Sequence, residues 1–378
     1  MKRLLKFLRS FLISLGITLL LLEFVSFVLL KKAILLHDIP TYSFKNARSE
    51  FWVEINPYFG VWHVPGSTYT QRRPCFETEY HANSFGMRDK EREMQSDKPR
   101  VVVLGDSYVE GYGVPDGQRL SDLLEKWRGK EHLNFGTTGG FGPTQYYEMY
   151  EHLAKNFSHQ ELLIGIFPKN DFSDDDIKIY KDSGLYRPEW VGTYPNYQLV
   201  YTSDKPRGAP AGALGITRGI LREYTYLFNL YDYLYKGYKY SLKRVLKRSN
   251  GLQYAGYYDF TEEEWDRMRF NWEKILEDSK GKKVTFFMIP AIADLRRYDQ
   301  EGEAPLSKKM KAFADAHNVG FVDLLPYMHD HNHDWESYFF TCEGHWSPYG
   351  NEVAAQYLLN QLDPNTAQAG THAQVANP

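Results

Sequence analysis

Apolar residues gather along this chain in runs of two lengths. The long run, Phe11 to Leu30, is interrupted only by Ser14, Gly16, Thr18, Glu23 and Ser26. About twenty residues at helical rise cross a bilayer core. Lys2, Arg3, Lys6 and Arg9 precede it, while Lys31 and Lys32 follow. The heavier positive load at the start holds the N-terminus in the cytoplasm. A cleaved signal peptide is the rival reading, but the run is long for one and no Ala-x-Ala site follows. The expectation is a single-pass inner-membrane anchor at 11–30, with 1–10 cytoplasmic and the remainder extracytoplasmic (periplasmic). Glu23 is costly in hydrocarbon; it is expected to be protonated or paired with another helix, and so marks a possible membrane partner.

The short runs begin at Arg100. Val101-Val-Val-Leu104 reads as a strand buried on both faces, as in a parallel sheet. His132–Phe135, Glu161–Phe167, Lys283–Ile289 and Gly320–Leu324 repeat that pattern. Between them, helical spacing predicts helices over Asp116–Arg128, Thr144–Phe157, Ser307–His317 and Pro348–Leu362. Thr261-Glu-Glu-Glu264 has capping-box spacing and opens another, through Asp278. Five strands alternating with helices predict an α/β fold, a three-layer α/β/α sandwich around a parallel five-stranded sheet.

Three segments break the rhythm. Residues 31–98 form a juxtamembrane extension rich in aromatic residues, in which Asn83-Ser-Phe-Gly-Met-Arg-Asp89 reads as a turn leading into the first strand. An insertion at about 174–260 carries the turn-rich Lys205–Gly212 and then an aromatic stretch, Ile220–Lys247. There Tyr224, Leu227, Leu230, Tyr231 and Leu234 fall at helical spacing. This reads as a cap helix on the α/β domain (99–363), with a membrane-surface helix or an aromatic wall for a sugar chain as alternatives. Residues 364–378 are polar and expected to be disordered.

Composition narrows the partners. A net charge of -3 argues against nucleic acid. The chain has 2 cysteines, too few for a disulfide-dense scaffold or a Cys-rich zinc site. Outside the cytoplasm Cys75 and Cys342 could form one disulfide; two buried thiols are the alternative. His329-Asp-His-Asn-His-Asp334 holds ligand types suited to a metal, but neighbours on one loop do not converge, so a solvated loop is expected. No metal or cofactor is implied.

The chemistry gathers around the first strand. Gly105 ends it, placing Asp106 and Ser107 at the carboxyl edge of the sheet, where open α/β sheets bind ligands. A serine hydroxyl needs a base within hydrogen-bond reach, and His345, in Thr341-Cys-Glu-Gly-His-Trp-Ser-Pro-Tyr-Gly350, leads into the last helix. Glu343 is the nearest carboxylate to fix its tautomer; Asp323, Asp334 or no acid at all are alternatives. Asn134-Phe-Gly-Thr-Thr-Gly-Gly-Phe-Gly142 follows the second strand, and Pro168-Lys-Asn-Asp171 the third. A Gly-x-Ser-x-Gly elbow is excluded by Val109, and no Gly-x-x-x-x-Gly-Lys phosphate loop occurs.

The ordered set resembles the SGNH (GDSL-type) hydrolases, with the likeness running from about Arg100 to Leu362 outside the insertion. Asn83-Ser-Phe-Gly-Met-Arg88 resembles membrane-anchored members. By that resemblance Ser107 is the nucleophile and its N–H an oxyanion donor. Gly139 and Asn170 are the other donors, and His345 the base. Two positions depart from the pattern: Pro168 stands where the third block usually begins with Gly, and Cys342 where Asp usually lies three residues before the His. Polysaccharide-acetylating branches carry the acid two residues before, which suits Glu343. The resemblance implies a serine esterase acting on small acyl, above all O-acetyl, esters of envelope glycans through an acyl-serine. An O-acyltransferase using the same residues, or a non-catalytic envelope-binding module on the same fold, are the alternatives.

Overall fold

The computed structural model describes residues 2–49, 51–52, 54–176, 178, 186–203, 213–245 and 254–364. The turn-rich 205–212 and nearly all of the tail lie outside them. The chain divides into two compact units. One comprises Met1–Ser49, Tyr69–Glu79 and Pro210–Leu252; the other Glu50–Thr68, Tyr80–Ala209 and Gln253–Pro378. The aromatic extension is therefore shared out: 31–49 and 69–79 group with the N-terminal helix, and the rest with the α/β unit.

In the α/β unit five strands, β1 (Arg100–Gly105), β2 (Glu131–Gly136), β3 (Glu161–Ile166), β4 (Lys283–Met288) and β5 (Gly320–Asp323), form one parallel sheet in the order β2-β1-β3-β4-β5. Strand β1, flanked on both sides, is dry, Val101 to Leu104 being 0–1% exposed. The chain steps one way from β1 to β2 and the other way from β2 across to β3. Right-handed crossovers then put the intervening helices on opposite faces, which makes the three layers. The helices are α1 (Ser107–Glu110), α2 (Leu120–Arg128), α3 (Pro143–His152), α4 (Pro168–Asp174), α5 (Glu262–Asp278), α6 (Ile292–Glu301), α7 (Pro305–His317), α8 (Leu324–His331) and α9 (Pro348–Leu362). Helix α3 packs with α5, and α2 with α9.

Thr261 and Glu264 close the expected capping box: Glu264 N–H donates to Thr261 Oγ1 (3.2 Å) and Thr261 N–H to Glu264 Oε2 (2.8 Å). Helix α6 and two antiparallel hairpins, Glu54–Asn56 with Gly60–Trp62 and Pro188–Thr193 with Asn196–Tyr201, carry no such signal in the sequence.

The other unit holds the N-terminal helix Lys2–Lys31, which is long and apolar enough to cross a bilayer. Helices Ala213–Tyr224 and Tyr226–Val245 belong to this unit. This corrects the expectation of a cap helix on the α/β domain. Of the stripe only Leu230 packs, beside Tyr226, in a cluster with Leu30, Ile39 and Leu35, whereas Tyr224, Tyr231 and Leu234 stay exposed. Both cysteines are disulfide-bonded.

Candidate active site

Ser107 stands at the start of α1, directly beyond the end of β1. Asp106 caps that helix, its Oδ1 accepting the Tyr108 N–H (2.9 Å), and Gly111 ends it in the left-handed region (φ 80°). The short helix doubles back onto the sheet over three glycines on three adjacent strands. A Cβ on Gly105 would lie 2.3 Å from Val109 Cγ2, and on Gly165 2.9 Å from the same atom. On Gly136 it would lie 2.1 Å from the Glu110 nitrogen. Only hydrogen at all three positions lets α1 lie down.

Side chains then lock it. Asn134 Nδ2 donates to the Val109 carbonyl (2.8 Å) and to Ser121 Oγ (3.0 Å). Arg88, fully buried, donates to the carbonyls of Glu110 (3.2 Å), Gly111 and Val114 (2.6 Å) and stacks on Tyr80 at 3.8 Å. Glu110 Oε1 accepts Trp52 Nε1–H at 3.0 Å and lies 3.3 Å from His63 Nε2.

His345 arrives from the far end of the sequence on a narrow loop. Phe340 N–H donates to the His345 carbonyl (3.0 Å) and Ser347 N–H to the Tyr338 carbonyl (2.8 Å), and Ser347 then caps α9. The imidazole Nε2 lies 2.7 Å from Ser107 Oγ, and Nδ1 lies 2.8 Å from Glu343 Oε1. That carboxylate is itself held by the Gly344 N–H at 2.8 Å. Of the three acids weighed in the sequence, Glu343 is the one against the ring. Asp323 caps α8 by accepting the Leu325 N–H (3.0 Å) and meets Tyr257 OH (3.3 Å).

Two tyrosines that sequence reasoning passed over frame the imidazole. Tyr108 donates its OH to the Gly344 carbonyl (2.7 Å), tying α1 to the histidine loop, and its ring lies 5.0 Å from that of His345. Burial pushes its phenol well above the ordinary range, so it remains a donor. The Tyr112 ring lies 4.5 Å from that of His345. The two tyrosines follow Ser107 at one and five positions, a spacing the sequence offers.

Asn170, on α4, donates Nδ2–H to Asp106 Oδ2 at 3.0 Å. It is thus joined to the serine turn, and its bond runs to a carboxylate. Burial raises Asp106 to about 6, against the lowering pull of the Tyr108 N–H, His345 and Asn170. Asp171 beside it, accepting Tyr146 OH (2.8 Å) and Phe167 N–H (2.7 Å), is held well above the ordinary carboxylate range by burial and by Asp106. Pro168 opens α4 at a first-turn position, so it starts a helix where the family pattern has Gly. Gly139 follows β2 with φ 108°, and a Cβ there would face Val61 at 3.3 Å. The His329–Asp334 run stays dispersed: His329 meets Asp330 (2.7 Å) and Asp299 (3.3 Å), and among the described residues no group of three metal-ligating side chains gathers.

Fold and site together define a three-layer α/β protein. A serine–histidine–glutamate relay stands at the point where its strand order reverses, the place such sheets reserve for ligands. No protein-family model and no curated protein matches the chain. Among solved structures it is similar to a lipase/acylhydrolase from Enterococcus faecalis, at 13% identity over 70% of this chain and 95% of that one, TM-score 0.38. It is also similar to a member of the lipolytic protein G-D-S-L family from Veillonella parvula, at 14% identity over 70% of this chain and 98% of that one, TM-score 0.37.

Proposed function

We propose that this protein is a membrane-anchored serine esterase of the SGNH type, acting on small acyl esters, O-acetyl groups of envelope glycans above all. The observation that carries the reading is the continuous relay from Ser107 Oγ through His345 to Glu343, with contacts of 2.7 and 2.8 Å.

In the reaction His345 Nε2 takes the Ser107 proton as Oγ attacks the acyl carbon, and Glu343 stabilises the imidazolium through Nδ1–H. The oxyanion would be received by the N–H groups of Ser107 and Gly139 and by Asn170. An amide nitrogen has two hydrogens; Asp106 takes one of Asn170's, which orients the amide and leaves the second for the oxyanion. The imidazolium protonates the departing alkoxide, leaving acyl-serine. Water activated by the same imidazole then releases acid. Attack by a sugar hydroxyl instead makes the enzyme an O-acyltransferase, and the Glu343 contact favours that second reading because the acid stands two residues before the base, as in polysaccharide-acetylating relatives of this type. The disulfide-bonded cysteines support placing the α/β unit outside the cytoplasm.

A fluorophosphonate probe should label the wild type and not Ser107→Ala, whose turnover of 4-nitrophenyl acetate should fall by about 10⁴-fold or more. Equal labelling of both forms would reduce the protein to a binding module. Acetate release against acetyl-glycan formation in the presence of an acceptor then separates hydrolysis from transfer.

A further inference from the structure

The carboxylate that interrupts the apolar N-terminal helix has partners within the chain. Glu23 accepts the backbone N–H of Tyr226 (2.7 Å) and of Leu227 (2.9 Å), the opening residues of the Tyr226–Val245 helix. Glu23, Ser26 and Leu30 share one helical face at spacings of three and four. Ser26 and Leu30 are the two residues of the N-terminal helix that are buried. The Tyr226 ring meets Phe27 edge-on at 5.1 Å, and six residues later Asp232 lies 3.3 Å from His37 Nε2. The two helices therefore run in the same direction, the second starting beside Glu23 and passing the end of the first.

That pairing fixes a depth. Glu23 is seven residues before Leu30, about 10 Å at helical rise, and Phe11–Leu30 matches a hydrocarbon core of about 30 Å. The second helix thus begins about 10 Å inside the apolar slab and climbs out of it. Its residues turned away from the first helix include Tyr231, Leu234 and Tyr235, 57%, 57% and 52% exposed, large side chains that water does not favour. They fall near the slab boundary, where tyrosine is enriched.

We propose that the Tyr226–Val245 helix is a second membrane-embedded element, with its start in the acyl region and its aromatic stripe at the boundary. This goes beyond the esterase reading and rests on the N-terminal helix being the membrane anchor.

The test uses the full-length protein in nanodiscs containing phosphatidylethanolamine and phosphatidylglycerol. With both native cysteines in a disulfide, a single introduced thiol carries a nitroxide, at Phe24→Cys, Tyr231→Cys, Leu234→Cys or, as an aqueous reference, Tyr58→Cys. Labels at 231 and 234 are expected to match position 24, relaxed by oxygen far more than by a water-soluble nickel chelate, with position 58 the reverse. Labels at 231 and 234 that behave like 58 while 24 stays lipidic would overturn the proposal and leave the anchor standing. A water-exposed label at 24 removes both. Shielding from oxygen and nickel alike at 231 and 234 would mean a protein partner covers the stripe, and also overturns it.

Discussion

The two units of this chain distribute their polar and apolar groups in opposite senses. In the α/β unit the apolar side chains point inward: Val102, Val103, Leu104, Ile164 and Phe286 have 0% exposure. In the N-terminal unit the arrangement is turned out. Leu20 and Phe24 are 72% and 63% exposed, while the Glu23 carboxylate faces inward onto two N–H groups. The first pattern is that of a protein folded against water. The second makes sense where the solvent is hydrocarbon and every polar group must be satisfied internally. The contrast teaches that an exposed leucine is informative only once its surroundings are known.

The contrast can be attacked from the α/β side first. Glu343→Gln keeps the shape of the acid but removes the charge that favours the imidazolium and the productive tautomer, so kcat should drop by about 10³–10⁴. Steady-state turnover of 4-nitrophenyl acetate reads it, and a loss below tenfold would mean that Ser107 and His345 work as a dyad.

Glycines sharpen the comparison. Gly136→Ala forces a methyl against the α1 backbone and should cost about 1–3 kcal/mol through overpacking, lowering both Tm and turnover as Ser107 is displaced. Gly16→Ala, on the N-terminal helix with nothing within 4 Å of the added methyl, should change neither. Equal effects at the two positions would break the distinction between a face that tolerates no added atom and one open to fluid.

A smaller effect concerns pH. Asp294 is buried, accepting the N–H groups of Ala291 (2.8 Å) and Tyr257 (3.1 Å), and burial pushes it up to about 7. An unfolded Asp titrates near ~3.9. Its proton is bound more tightly in the folded chain, so its contribution to stability is fully present below pH ~4 and disappears as pH rises through about 7. Asp294→Asn should therefore flatten the decline in Tm between pH 4 and 8, read by thermal melts across that range. An unchanged slope would show that this carboxyl titrates normally. The least change is expected from Tyr231→Ser with Leu234→Ser, exposed positions of the N-terminal unit, which should leave turnover of a water-soluble ester within about twofold, as surface substitutions usually do.

Much of the α/β unit was legible because its strands are continuous β-branched and aromatic runs, and a buried parallel strand needs little else. Ser107 and His345 were legible through their positions, one after the first strand and one before the last helix. What escaped depends on relations that a linear pattern does not carry. Helix α6, Ile292-Ala-Asp-Leu-Arg-Arg-Tyr-Asp-Gln-Glu301, is too polar to show a stripe. The paired strands Glu54–Asn56 and Gly60–Trp62 are only 3 residues each. The helical spacing in Tyr226–Val245 announced a helix, but not that Tyr226 and Leu230 would pack while Tyr231 and Leu234 stay exposed. Arg88 sat in a recognised turn, yet nothing local says that its guanidinium will hold the carbonyls behind Ser107. Asn170 was singled out for its amide, while its tie to Asp106 becomes visible only when β1 and β3 lie side by side.

Glu343, Gly344 and His345 are consecutive, and Gly344 both donates its N–H to the glutamate and offers its carbonyl to Tyr108. Base and orienting acid therefore travel as one cassette, whose internal pairing needs no distant scaffold. Any displacement of that loop would carry the His345–Glu343 pair along whole while parting it from the Ser107 hydroxyl, so one lost contact breaks the relay without dismantling either half.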